Sequence, residues 1–150
     1  MRAEDYFAIQ NQLNRYFQYV DAGNFELCGE LFTHADLIYL QSGQTYSNDP
    51  AGITRQMRSF VKLYGETNIP QTRHHSGNMI IESDGENCAK TSCSAIIFQG
   101  TEVLPFQPIA EASYNDRFEK RAQGWIFIER KMSLNFMGDM SNHLLREVST

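Results

Sequence analysis

Apolar residues recur at three- and four-residue steps between Tyr6 and Val20, at Ile9, Leu13, Tyr16, Phe17 and Val20, with Gln10, Asn11, Gln12, Asn14 and Gln18 between them. That period belongs to an amphipathic helix. Gly23 offers a left-handed stop, and Asn24 can cap a second short helix over Phe25 to Phe32. Asp36 to Gln41 reads as a short strand and Ser42 to Pro50 as a loop. Ala51 to Tyr64 then returns to helical spacing through Ile53, Met57, Phe60, Val61 and Tyr64. In the second half the period changes. Thr72 to Glu82, Ala89 to Gln99, Ile109 to Lys120 and Trp125 to Phe136 are extended segments separated by Gly or polar clusters. Three helices followed by an antiparallel meander predict an α+β fold in which the helices cover one face of a curved sheet and a conical pocket opens between them.

At 150 residues with 41% hydrophobic content, the chain can bury one core without staples, so a single domain over residues 1–150 is expected. A formal charge of -5 argues against nucleic acid or an anionic membrane as partner. The cysteines Cys28, Cys88 and Cys93 are odd in number and lack CxxC spacing, which suggests reduced thiols and neither a disulfide framework nor a zinc site. No apolar run approaches the roughly 20 residues of a membrane span, and the first residues lack a signal-like core, so the expected location is the cytoplasm.

Few residues invite chemistry. Asp21 extends the line Leu13, Phe17 by another four-residue step and so puts a carboxylate on the apolar stripe, near a helix end whose macrodipole it opposes. It could equally begin a solvated Asp-Ala-Gly-Asn turn. In the first long strand, alternation groups His74 with Ser76, Asn78 and Ile80, and His75 with Gly77, Met79 and Ile81. The two imidazoles therefore point apart, and His34 and His143 lie outside any ligand spacing, so no metal site is expected. His74 is the better chemical candidate, although a lone strand histidine is commonly an ordinary hydrogen-bonded side chain. Along the last strand Ile126, Ile128, Met132 and Leu134 share parity with Arg130. A guanidinium on that face needs a carboxylate, Asp21 or Asp116, or else a ligand oxygen. Tyr16, Tyr19, Tyr39, Tyr46 and Tyr114 could line a pocket or be plain core. Nucleophile-elbow, phosphate-loop, dinucleotide and HExxH motifs are missing.

The segments AIQNQLNRYFQYVDAGNFELCGELF, TRHHSGNMIIE and SYNDRFEKRAQGWIFIERKMSLNFMGDM, in that order, resemble the SnoaL-like branch of the nuclear transport factor 2-like superfamily. That branch holds polyketide cyclases, scytalone dehydratase, bile-acid 7α-dehydratase and hexachlorocyclohexane dehydrochlorinase. The resemblance implies that Asp21 holds His74 as a base, that Arg130 occupies the family arginine position and that Tyr16 matches a helix-one tyrosine of the bile-acid enzymes. One departure is that scytalone dehydratase uses a second sheet histidine, whereas Ala89 to Gly100 contains none. The expected function is a cofactor-independent lyase or isomerase, dehydratase-like, acting on a small hydrophobic, cyclic metabolite with no metal or organic cofactor. The alternatives are a polyketide cyclase and a non-catalytic binding or assembly module like a ring-hydroxylating dioxygenase β subunit. Face-to-face sheet packing into a homodimer is also implied, with Met79, Ile81, Trp125 and Phe127 expected on the outward face.

Overall fold

A computed structural model describes residues 1–146, so the last four residues of the expected domain lie outside the described residues. The elements run α1 (Ala3–Asp21), α2 (Phe25–Glu30), β1 (Asp36–Tyr39), β2 (Thr45–Ser47), α3 (Pro50–Phe60), β3 (Thr72–Ser83), β4 (Cys88–Gln99), β5 (Gln107–Arg121) and β6 (Gly124–Met137). The α+β order is the one that the periodicity predicts. The expected loop at Ser42 to Pro50 instead contains β2 and the start of α3, where Asp49 accepts a bond from the Gly52 N–H at 2.8 Å and Pro50 occupies the first turn.

Helix α1 buries Ile9, Leu13, Tyr16, Phe17 and Val20 against the sheet. Each such side chain contributes about 1.5–3 kcal/mol. Its first turn is tied to the β5–β6 hairpin through Asp5, which accepts from Lys120 Nζ at 2.6 Å and Trp125 Nε1 at 2.9 Å. Its last turn ends at Gly23, at φ +71°, where an added Cβ would lie 2.5 Å from the Asn68 carbonyl oxygen. Only glycine fits that approach. Asn24 precedes α2 as foreseen, but its side chain makes no cap bond.

The sheet order is β2-β1-β6-β5-β4-β3. Strands β3 to β6 form the expected antiparallel meander, while β1 pairs parallel to β6. The sheet is therefore mixed and open, a correction to the wholly antiparallel expectation.

Two irregularities overturn parts of the alternation. Asn78, at φ +51°, marks a register shift between Gly77 and Ile80. Beyond it the faces exchange, so Met79 and Ile81 pack on the core and Ile80 is exposed. On β6, Arg117 pairs with Glu129 but Phe118 with Phe127, leaving Ile128 as the extra residue. Trp125 and Phe127 consequently face inward with Arg130, Met132 and Leu134, while Ile126 and Ile128 leave that face half-buried. None of the four residues expected on the outer face lies there.

Candidate active site

The last residue of α1 and the first turns of β3 meet at one point. Asp21 Oδ1 accepts from Thr72 Oγ1 at 2.7 Å and lies 2.6 Å from His74 Nδ1, while Oδ2 accepts from the His74 backbone N–H at 2.8 Å. The side chains of His74 and Asp21 are only 7% and 13% exposed, which excludes the solvated-turn reading of Asp21. Burial alone would raise the Asp21 pKa, but bonds from the His74 ring, the His74 backbone and Thr72 outweigh it and hold the carboxylate below its ordinary value. Three donors also offset the unfavourable macrodipole at this helix end.

An ionised carboxylate only accepts, so His74 donates Nδ1–H and its Nε2 carries the lone pair when the ring is neutral. The Phe17 ring stacks on the imidazole at 5.5 Å and 21°, fixing its plane. Thr72 and Phe17 were not singled out in the sequence. Both were legible in principle, since Thr72 shares the face of His74 and Phe17 stands one turn before Asp21.

Arg130 and Tyr16 form a separate centre. Arg130 Nε and one terminal nitrogen each donate to Asp116 at 2.7 Å, with both side chains at zero exposure. Of the two carboxylates that the strand parity allowed, Asp116 is the partner and Asp21 is not. Burial works against the guanidinium charge, but the Asp116 carboxylate outweighs it and raises the Arg130 pKa. Rings enclose the cation, with Tyr16 at 4.3 Å, Tyr114 at 4.7 Å and Phe127 at 4.9 Å from its central carbon. Burial holds the Tyr16 hydroxyl well above its usual pKa. Tyr16 and Arg130 reach the His74 pair only through rings, by way of Phe17 and Tyr114, whose centroids are 5.3 Å apart.

The interior expected to be an open cone is thus occupied by aromatic side chains at this depth. Two surface depressions lie elsewhere. One of about 330 Å³ is on the outer sheet face beside Ile80, Lys90, Arg117, Glu129 and Lys131, and one of about 170 Å³ is beside Gln12, His34 and Ile126. Among the described residues, no three His, Cys, Asp or Glu side chains are grouped as metal ligands.

Facing the pair from the other side is a segment that the periodicity did not predict. After β6 the chain turns back over the sheet, and Lys62 N–H donates to His143 O at 2.8 Å and Leu145 N–H to Phe60 O at 2.7 Å. Val61 and Leu144 form a β-bridge. His143 is pushed down to a pKa of about 4, first by burial and then by the neighbouring His74, with Asp21 opposing. Its proximity to His74 has no sequence signal, because nearly seventy positions separate the two.

A SnoaL-like domain model matches residues 1–131. The chain belongs to the SnoaL-like family. Solved structures agree on this fold. An NTF2-like protein with a cystatin-like fold from Novosphingobium aromaticivorans is 19% identical, with TM-score 0.70 over 91% of this chain and 85% of that one. A protein from the same organism named "Putative Scytalone Dehydratase" is 21% identical, with TM-score 0.66 over 88% and 85%. A third, named "putative dehydratase from the NTF2-like family" of Streptomyces avermitilis, is 11% identical, with TM-score 0.68 over 91% and 99%. At these identities the likeness is one of fold. No protein of curated function matches the sequence. No helix of the SnoaL-like chain among the described residues is long and apolar enough to cross a membrane.

Proposed function

We propose that this SnoaL-like protein is a lyase or isomerase of the dehydratase type that removes a proton from a small, hydrophobic, cyclic metabolite. The observation that carries the proposal is the 2.6 Å contact between His74 Nδ1 and Asp21 Oδ1. It sets the tautomer that leaves Nε2 as base, and a positioned base of this kind typically contributes about 10²- to 10⁴-fold. In the forward step a substrate C–H proton passes to Nε2. The imidazolium formed keeps Nδ1–H on Asp21, whose negative charge stabilises it. The C–H electron pair then forms a double bond. In elimination it expels a hydroxyl, which takes the proton from Nε2 and leaves as water; in isomerisation the proton returns at another carbon. Either course regenerates neutral His74.

The test is solvent-deuterium incorporation into cyclic ketones and β-hydroxy ketones, followed by NMR. Wild-type protein should exchange the proton next to the carbonyl, and His74→Ala should lower that rate to the background. Equal rates in the two proteins would sink the proposal and favour a binding module without chemistry.

We further propose that the protein pairs with a second copy through its outer sheet face, by residues other than those first expected. His75, Ile96, Glu111 and Phe136 stand in register across β3 to β6, with Ile96 43% and Phe136 72% exposed. Phe106, 68% exposed, stacks on Phe98 beside them. Apolar rings gathered at one end of an open sheet favour such a contact.

A further inference from the structure

Among the described residues, two polar atoms bordering the Asp21–His74 pair are buried without a hydrogen-bond partner, Gln99 Oε1 and His143 Nδ1. Gln99 is on β4 directly across from Thr72, the residue that holds Asp21, and it is fully buried. Its amide orientation is set by its surroundings. Nε2 donates to Pro70 O at 3.0 Å and to Asn142 O at 3.1 Å, so Oε1 is the accepting end left without a donor. The Asn142 carbonyl also accepts from the Tyr64 hydroxyl, and that anchors the segment carrying His143. The two unpartnered atoms are thus attached to the same anchored carbonyl, one through the Gln99 amide and one through the next residue along the chain.

A buried acceptor left open costs about 1–3 kcal/mol, and a native structure retains one where something supplies the missing donor. Here the two open atoms are complementary. Gln99 Oε1 can only accept. A neutral imidazole can donate from Nδ1, and among the described residues that atom has no partner. A hydroxyl is the smallest group that satisfies both, donating one bond and accepting the other. A halogen or a methyl group satisfies neither.

We propose that Gln99 and His143 form a hydroxyl-reading subsite, in which a ligand hydroxyl donates to Gln99 Oε1 and accepts from His143 Nδ1–H while the neighbouring C–H faces His74 Nε2. This rests on the proton-abstraction reading above and narrows its substrate to a cyclic alcohol. His143 keeps its proton throughout and supplies a neutral donor to the oxygen as negative charge develops there, the use to which a depressed imidazole is suited. The segment from Gly138 to Arg146 becomes part of the site, so the second imidazole comes from beyond the sheet and not from β4.

The test compares 2-tetralol with 2-methyltetralin, an analogue of the same ring system in which a methyl group replaces the hydroxyl, by titration and by ¹⁵N NMR of the histidine rings. Wild-type protein should bind the alcohol about tenfold more tightly, the order expected for a pair of buried bonds lost together. The alcohol alone should move the His143 Nδ1 resonance. His143→Phe keeps the ring's bulk and should bring the two affinities within about twofold of one another. Equal affinities in the wild type, no binding of either compound, or a preference that survives His143→Phe would each overturn the subsite. His74→Ala separates this outcome from that of the base: it should abolish deuterium exchange and leave the hydroxyl preference intact.

Discussion

Arg130 and Asp116 face each other from adjacent strands through two bonds of 2.7 Å, wholly removed from solvent and ringed by Tyr16, Tyr114 and Phe127. The pair makes β5 and β6 one polar-centred unit beneath α1. Removing one partner leaves a buried charge unmatched, which typically costs about 3–5 kcal/mol, whereas replacing both by apolar residues is often neutral. Arg130→Met should therefore lower stability by about 3 kcal/mol or more in urea denaturation, and Arg130→Met with Asp116→Leu should recover most of it. A single variant as stable as the wild type would mean that the ion pair is not the support described.

Asp21→Asn retains the size of the side chain but removes the charge that stabilises imidazolium. Its amide can present NH₂ to the ring and so reverse the tautomer, taking the lone pair off Nε2. Exchange rates should fall about 10²-fold or more while circular dichroism stays unchanged. Thr72→Val removes one donor to the same carboxylate and should cost much less, about tenfold at most.

Acid should loosen the segment that carries His143. Its folded pKa of about 4 lies below the ordinary 6.5, so the unfolded or released form binds the proton more readily. The contribution to stability is fully present above 6.5 and is lost as pH falls through the folded value. Hydrogen exchange at Lys62 and Leu145, whose amides hold the segment, should accelerate between pH 6.5 and 4 beyond the intrinsic pH dependence of the chemistry. The total effect is on the order of 3 kcal/mol. His143→Phe should flatten that response. Asp21 titrates in the same sense but lower, below the ordinary carboxylate range, so the two losses separate along the pH axis.

Ile96→Glu and Phe136→Glu place charge on the exposed apolar end of the outer face without touching the core. Light scattering should give a dimer mass for wild type at micromolar concentration and a monomer mass for the double variant. A wild-type monomer would remove the second-copy proposal while leaving the site untouched.

Much of this arrangement is legible in the sequence. The three- and four-residue steps of α1 predicted its buried face, and continuing that line reached Asp21. Strand alternation separated His74 from His75 and left Asp116 as one of two candidate carboxylates for Arg130, the one that the structure selects. What alternation could not supply was the pair of extra residues, at Asn78 and Ile128, because a bulge changes parity without changing composition. That is why Met79, Ile81, Trp125 and Phe127 were assigned to the wrong face. His143 escaped for a different reason. Its contact with the site depends on a turn after β6 held by backbone bonds to Lys62 and Phe60, and backbone bonds leave no trace in side-chain pattern.

The bulge at Asn78 has a second effect, on how copies of the molecule avoid one another. Strand β3 ends the sheet, and its outer rim offers unpaired N–H and C=O groups to any passing extended chain. A left-handed residue midway along that rim breaks the repeat, so a neighbouring strand could follow it for only a few residues before losing register. Exposed Glu82, paired with Lys90 of β4, lies beyond the break, and an ionic side chain there makes continued pairing still less favourable. The kink that turns Met79 and Ile81 into the core therefore also guards the open border of the sheet against edge-to-edge aggregation.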